Sequence, residues 1–251
     1  MKNSAIIFDY GGTLDTRGDH WGKVIWHAYE HHAIPVSEQA FRDAYVHAER
    51  TLGKEDIIRP ADTFRHTLDV KLDLQFSYLR DNGLWQCSDS EMKKKHEAVL
   101  SSLYEGLQAT VKHSRQVLLA LRERGCRMVL VSNFYGNVET VLREMNLDDL
   151  FVKIVESAVV GIRKPDPRIF LLGVEALGVP ASQVTVVGDN YGKDILPGHE
   201  AGCRTVWLRG ESWKDEDVDG KAADYQINDI AEILTDIPGL PVTFSASSET
   251  E

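Results

Sequence analysis

The sequence predicts an α/β protein: a doubly wound, mostly parallel sheet with helices on both faces, and an all-helical insertion after the first strand. Three observations carry this expectation. Short apolar runs rich in branched side chains recur at residues 5–8, 128–131, 184–187 and 205–208, the composition of strands buried on both faces. Beyond residue 105 such runs alternate with helix-period stretches. Between Trp21 and Glu105 strand-like runs are almost absent and apolar residues fall at helical steps instead.

The first run delivers Asp9 into a turn where Gly11 and Gly12 let the backbone bend sharply, with Thr13 beside them. A doubly wound sheet has its crevice at the carboxyl ends of its strands, so Asp9 is the candidate centre of the chemistry. A turn or N-cap aspartate is the competing reading of that stretch taken alone. Trp21, Ile25, Tyr29 and Ala33 mark one helix, and Phe41, Tyr45, Ala48 and Leu52 a second, entered through Ser37 as N-cap. Residues 59–62 break the pattern before Phe64, Leu68, Leu72 and Phe76 mark a third helix. The charged run 91–97, with Lys93, Lys94 and Lys95 on a solvated face, leads back toward Leu103 and Tyr104.

Strand and helix then alternate. Residues 113–124 predict a helix closed by Gly125, and 128–131 a strand ending at Ser132 and Asn133. A helix at 138–145 and a strand at 152–155 follow, and Lys164 opens a helix that runs to Leu177. Residues 184–187 form a third very apolar strand ending in Gly188, Asp189 and Asn190. A helix over 194–201, a strand over 205–208 and a late helix over 228–234 complete the pattern. The expected division is a core from 1–17 plus 106–240, a helical insertion over 18–105, and a disordered tail at 241–251 rich in Ser and Glu.

A chain of 251 residues has room for one α/β core and a smaller accessory domain. Its net charge of −11 argues against a nucleic-acid partner held by backbone phosphates. An anionic substrate would then need a metal ion or helix N-termini. Cys87, Cys126 and Cys203 are widely separated and make no CxxC pair, which suits a reducing cytoplasm. Charges interrupt every apolar stretch within a few residues, and no leader pattern opens the chain, so the expectation is a soluble cytoplasmic protein with no membrane partner.

Asp9, Ser132 with Asn133, and Asp189 end three strands at one edge of the sheet, and Lys164 and Asp194 lie near helix starts that reach that edge. The four motifs FDYGGTL at 8–14, VSN at 131–133, KPDPRIF at 164–170 and GDNYGKD at 188–194 together resemble the haloacid dehalogenase-like (HAD) superfamily of phosphohydrolases, over about residues 4–208. The resemblance implies a Rossmann-like core and a helical cap inserted after the first motif, where the 18–105 insertion lies. It also implies Mg²⁺-dependent hydrolysis of a small phosphorylated metabolite through an aspartyl phosphate on Asp9. In that scheme Asp9, Lys164 and Ser132 are catalytic. Gly11, Gly12, Ser132, Asn133 and Lys164 bind substrate, and Asp9, Asp189, Asp194 and the Gly11 carbonyl hold Mg²⁺. The physical reading agrees: a carboxylate can carry a phosphoryl group, but an anionic nucleophile needs counter-charge to approach a phosphate. Hard oxygen ligands suit Mg²⁺, and a serine hydroxyl and lysine ammonium suit phosphate oxygens.

The family's phosphatases usually carry a second aspartate two residues after the nucleophile, and this sequence has Gly11 there. Loss of such an acid typically costs about 10²–10⁴-fold, most for poor leaving groups. Three readings stay open. One is a phosphatase with a replacement acid (Asp15, His20 or a cap residue) or with a substrate whose leaving group needs no proton. Another is a protein that binds phosphorylated ligands with little turnover. The third is a phosphonate C–P hydrolase using a cap lysine, with Lys23 and Lys54 as candidates. Asp189 and Asp194 disfavour a haloacid dehalogenase.

Overall fold

The computed structural model describes residues 4–213, 218–235 and 237, so the tail expected at 241–251 lies outside the described residues. Among the described residues six strands, β1 (Ala5–Phe8), β2 (Arg127–Ser132), β3 (Lys153–Glu156), β4 (Val184–Gly188), β5 (Arg204–Leu208) and β6 (Tyr225–Ile227), form one sheet in the order β3-β2-β1-β4-β5-β6. Every pairing is parallel. β1 lies near the centre, and its alternation explains its composition. Ile6 and Phe8 enter one apolar cluster while Ala5 and Ile7 enter the other, so this strand has no solvent face.

Among the described residues eight α-helices accompany the sheet: α1 (Trp21–His31), α2 (Glu38–Lys54), α3 (Phe64–Asp81), α4 (Asp89–Glu123), α5 (Val138–Glu144), α6 (Ser157–Val160), α7 (Arg168–Leu177) and α8 (Leu196–Glu200). α7 packs on the Ile7 face through Ile169, Phe170 and Leu177. The Ile6 and Phe8 face shares one cluster with the buried residues of α1 to α4, so the helical insertion and the sheet are built on continuous apolar packing. Ser37 caps α2 as expected, its side chain accepting from the Ala40 N–H.

Several elements differ from the sequence expectation. The charged run at 91–97 and the helix expected from 113 belong to one 35-residue helix, α4, about 50 Å long. It contains no proline and a single glycine, Gly106, which does not break it, and Val99, Leu103, Leu107, Val111, Val117 and Leu121 keep one stripe buried along it. The division expected between residues 105 and 106 therefore falls inside a single helix. The late helix is a 3₁₀ turn at Ile230–Leu234 behind a capping box on Asp229. β6 lies outside the sequence expectation, because a three-residue edge strand leaves almost no periodic signal. α7 begins at Arg168, which leaves Lys164 in the loop before it. Asp194 lies in a π-helical turn, Tyr191–Ile195, ahead of α8.

Candidate active site

Strand register brings the polar residues together. Phe8 pairs with Leu130 on one side and Val187 on the other, so Asp9, Ser132 and Asp189 emerge at the same edge. Asp9, Asp189 and Asp194 each offer a carboxylate oxygen, and these oxygens lie within 4.8 Å of one another. Lys164 Nζ sits among them, 2.7 Å from Asp9 Oδ1 and 2.6 Å from Asp194 Oδ1, with both its partners and itself buried.

Each group is held by its neighbours. Thr13 Oγ1 donates to Asp189 Oδ1 at 2.8 Å and accepts from the Asp189 N–H at 3.1 Å. Asp194 Oδ2 accepts from the Asn190 N–H. Asn133 makes a paired contact with Lys164: its Nδ2 donates to the Lys164 carbonyl and its Oδ1 accepts from the Lys164 N–H, both at 3.0 Å. Asn133 thereby fixes the loop that carries the ammonium. Gly12 has φ of +102°, and a Cβ there would overlap the Asp189 carboxylate, so the backbone passes where only glycine fits.

Electrostatics mark the cluster as short of positive charge. Burial raises the Asp9 carboxyl to a pKa of about 6 although the Lys164 ammonium opposes it. Burial, with the Asp194 and Asp9 charges, holds Asp189 well above the ordinary carboxylate range. Three carboxylates face one ammonium, and the donor set is all oxygen. That combination fits a hard divalent cation such as Mg²⁺.

Asp9, Gly11, Ser132, Asn133, Lys164, Asp189 and Asp194 line a single cavity of about 140 Å³. Gly12 is not part of its lining, and its N–H is taken by Asp15 Oδ1 at 2.7 Å. Asp15 is also bound by the Trp21 indole N–H through Oδ2 at 2.8 Å and stands outside the cavity. His20 does line the cavity, with Nδ1 accepting from the Gly22 N–H at the start of α1. Of the two named replacement acids, only His20 therefore shares the space with Asp9. Lys23 lies against Glu211, and Lys54 borders a different cleft. A lysine of the helical insertion that does face the Asp9 cavity is Lys71 of α3, beside Glu49. The sequence held a faint signal for it: Lys71 falls three residues after Leu68, on the apolar face of α3, where a charge is out of place.

A parallel sheet in this order, an inserted group of helices, and carboxylates and a lysine gathered at the carboxyl edge define a Rossmann-like α/β fold with a buried acidic site. Residues 4–202 match the family model for haloacid dehalogenase-like hydrolases, and the chain belongs to that family. It is 35% identical over 103 residues to a glyceraldehyde 3-phosphate phosphatase of Pyrococcus abyssi, covering 39% of this chain and 42% of that protein. It is 28% identical over 211 residues to an N-acetylmuramic acid 6-phosphate phosphatase of Pseudomonas aeruginosa, covering 83% of each. Against the archaeal relatives the match spans only about half of their length. Among solved structures, a dehalogenase superposes with a TM-score of 0.60 at 18% identity, over 92% of this chain and 96% of that one. A predicted phosphoglycolate phosphatase of Haemophilus somnus gives 0.55 at 20% identity, over 93% and 97%. These likenesses show the fold. Among the described residues no helix is long and apolar enough to cross a membrane.

Proposed function

We propose that the protein is a Mg²⁺-dependent phosphatase of a small phosphorylated metabolite, working through a phosphoryl group carried on Asp9. The observation that supports it most is the placement of Lys164 between Asp9 and Asp194, with Asp189 beside them, at the floor of one cavity. Asp9, Asp189, Asp194 and the Gly11 carbonyl would hold the metal ion, whose charge neutralises the approaching phosphate. The free Asp9 oxygen attacks phosphorus in line, the P–O bond to the leaving group breaks, and water later cleaves the acyl phosphate. Lys164 holds Asp9 in register and binds a phosphoryl oxygen, and the Ser132 hydroxyl, which bonds to no described residue, takes another.

Gly11 leaves no acid two residues after Asp9. His20 is the titratable imidazole left in the cavity, and burial followed by the Lys193 charge lowers its pKa to about 4. It is therefore a weak proton source near neutral pH, and turnover is expected to favour leaving groups that need no proton. The same glycine favours a second reading, a phosphate-ligand binding protein with negligible turnover. Residues 18–105 are the proposed cap over the site, and the free thiols of Cys87, Cys126 and Cys203 suit a cytoplasmic setting.

Phosphate release from acetyl phosphate and p-nitrophenyl phosphate, with and without Mg²⁺, tests the proposal against Asp9→Asn. Release that requires both Mg²⁺ and Asp9 is expected, with a loss of at least about 10³-fold in the variant. Equal background rates from both proteins would refute catalysis and leave the binding reading.

A further inference from the structure

The Asp9 cavity has a second polar end, supplied by α2 and α3. Lys71 of α3 is only 7% exposed, yet its ammonium keeps three N–H donors. Glu49 Oε1 lies 2.6 Å from it, and the Tyr135 hydroxyl is its second partner. That hydroxyl in turn donates to Glu49 Oε2 at 3.0 Å. The third ammonium donor has no acceptor among the described residues. The Tyr135 and Tyr45 rings flank the charge, with centroids 5.5 and 6.0 Å away. Glu49 is one-third exposed and opens into the same cavity.

A buried ion pair adds little net stability, because the cost of desolvating two charges consumes most of the attraction. A pair left incompletely hydrogen-bonded in a cavity wall therefore points to a ligand that completes it. The chemistry of that ligand follows from the two charges side by side. A hydroxyl accepts from the ammonium and donates its own proton to the carboxylate, satisfying both. A carboxylate or second phosphate gains from Lys71 but is repelled by Glu49.

The space is small, about 140 Å³, close to one that takes up a single benzene-sized molecule. With a phosphoryl group at Asp9 it favours a short leaving group over a bulky one.

We propose that Glu49 and Lys71 form a hydroxyl-recognition site that selects a short-chain, hydroxylated phosphate monoester for this cavity. The inference rests on the phosphatase reading for the position of the phosphate, but it is tested by binding. Two exposed cations, Arg163 and Lys193, also line the cavity and represent the opposing case of an anionic leaving group.

The experiment is calorimetry on the full chain carrying Asp9→Asn, with Mg²⁺ present, using glycerol 3-phosphate, n-propyl phosphate and 3-phosphoglycerate. Glycerol 3-phosphate is expected to bind about tenfold tighter than propyl phosphate, as one hydrogen bond to a charged pair provides. Adding Glu49→Gln should bring that ratio to about one. Because Glu49→Gln strands the Lys71 ammonium, the pair Glu49→Gln with Lys71→Met is measured beside it, with circular dichroism as the check on folding. A ratio near one before these changes, tighter binding of 3-phosphoglycerate, or no binding of glycerol 3-phosphate at millimolar concentration overturns the inference. A binding preference that persists while the unmodified protein releases no phosphate refutes the phosphatase reading alone.

Discussion

At Gly11 nothing lies within 4 Å of the point where a Cβ would stand, and the residue borders the cavity of Asp9. A Cβ there meets no neighbour. Gly11→Asp is therefore expected to raise kcat for alkyl phosphates by about 10²-fold and to change acetyl phosphate turnover far less. Phosphate-release kinetics on the two substrate types check the difference. One residue on, the situation reverses: Gly12→Ala forces a side chain onto the Asp189 carboxylate at a positive φ. A loss of roughly 1–3 kcal/mol in stability is expected, seen in urea melts, with the metal-dependent phosphate release lost as Asp189 is pushed aside. Asp9 and Asp189 were legible because each follows an apolar strand, where sequence pattern and site geometry coincide, whereas Lys164 and Asp194 were reached through the motifs of the resemblance, since the helix starts expected for them are a loop and a π-helical turn. Glu49 and Lys71 were not, since their meeting depends on how two helices cross, and helical periodicity describes each helix only by itself.

The same contrast holds for elements. Central strands such as β1 and β4 were readable because burial on both faces writes an unbroken apolar run. β6 and the continuity of α4 were not, the first for its shortness and the second because a solvated charged run interrupts the visible pattern while the buried stripe persists. α1 shows a local choice with a thermodynamic consequence. Its N-cap is His20, whose Nδ1 must stay unprotonated to accept from the Gly22 N–H, and whose ring stacks on Trp213 with centroids 5.3 Å apart. Burial and the nearby lysine charges lower its pKa from 6.5 to about 4. The unfolded chain takes up this proton first as the pH falls, so the contribution is complete above about pH 6.5 and is lost on approach to pH 4. It amounts to at most about 3 kcal/mol. His20→Asn keeps a cap and removes the titration. The gap in melting temperature between the two proteins should therefore narrow from pH 7 to pH 4.5, and a constant gap would refute the assignment.

Across the whole molecule, stability and function compete at one point. The helical insertion is tied to the sheet on two sides. Glu144 of α5 accepts from the Phe64 N–H and the Tyr104 hydroxyl. On the other side, Arg42 of α2 stacks over Trp213 at 4.3 Å and donates to its carbonyl. These contacts hold the insertion beside the carboxylate edge, where Asp9 and Asp194 are buried. Desolvation is what makes Asp9 and Asp189 hard to ionise, and in a chain with a net charge of −11 the general field adds to the cost. A divalent cation bound there would relieve both, so metal binding and folding should be linked. At about 100 times its Kd, Mg²⁺ is expected to add ~2.7 kcal/mol, which raises the melting temperature by roughly 5–10 °C for a chain of this size. Asp189→Asn separates the two effects. With one mutually repelling carboxylate removed it should melt above the unmodified protein in chelator, and with a ligand missing it should gain little from Mg²⁺. Thermal melts of both proteins in EDTA and in Mg²⁺ decide it: parallel shifts would mean that the ion binds elsewhere, and a variant less stable in EDTA would mean that Asp189 is held by Thr13 more strongly than it is repelled by Asp9 and Asp194.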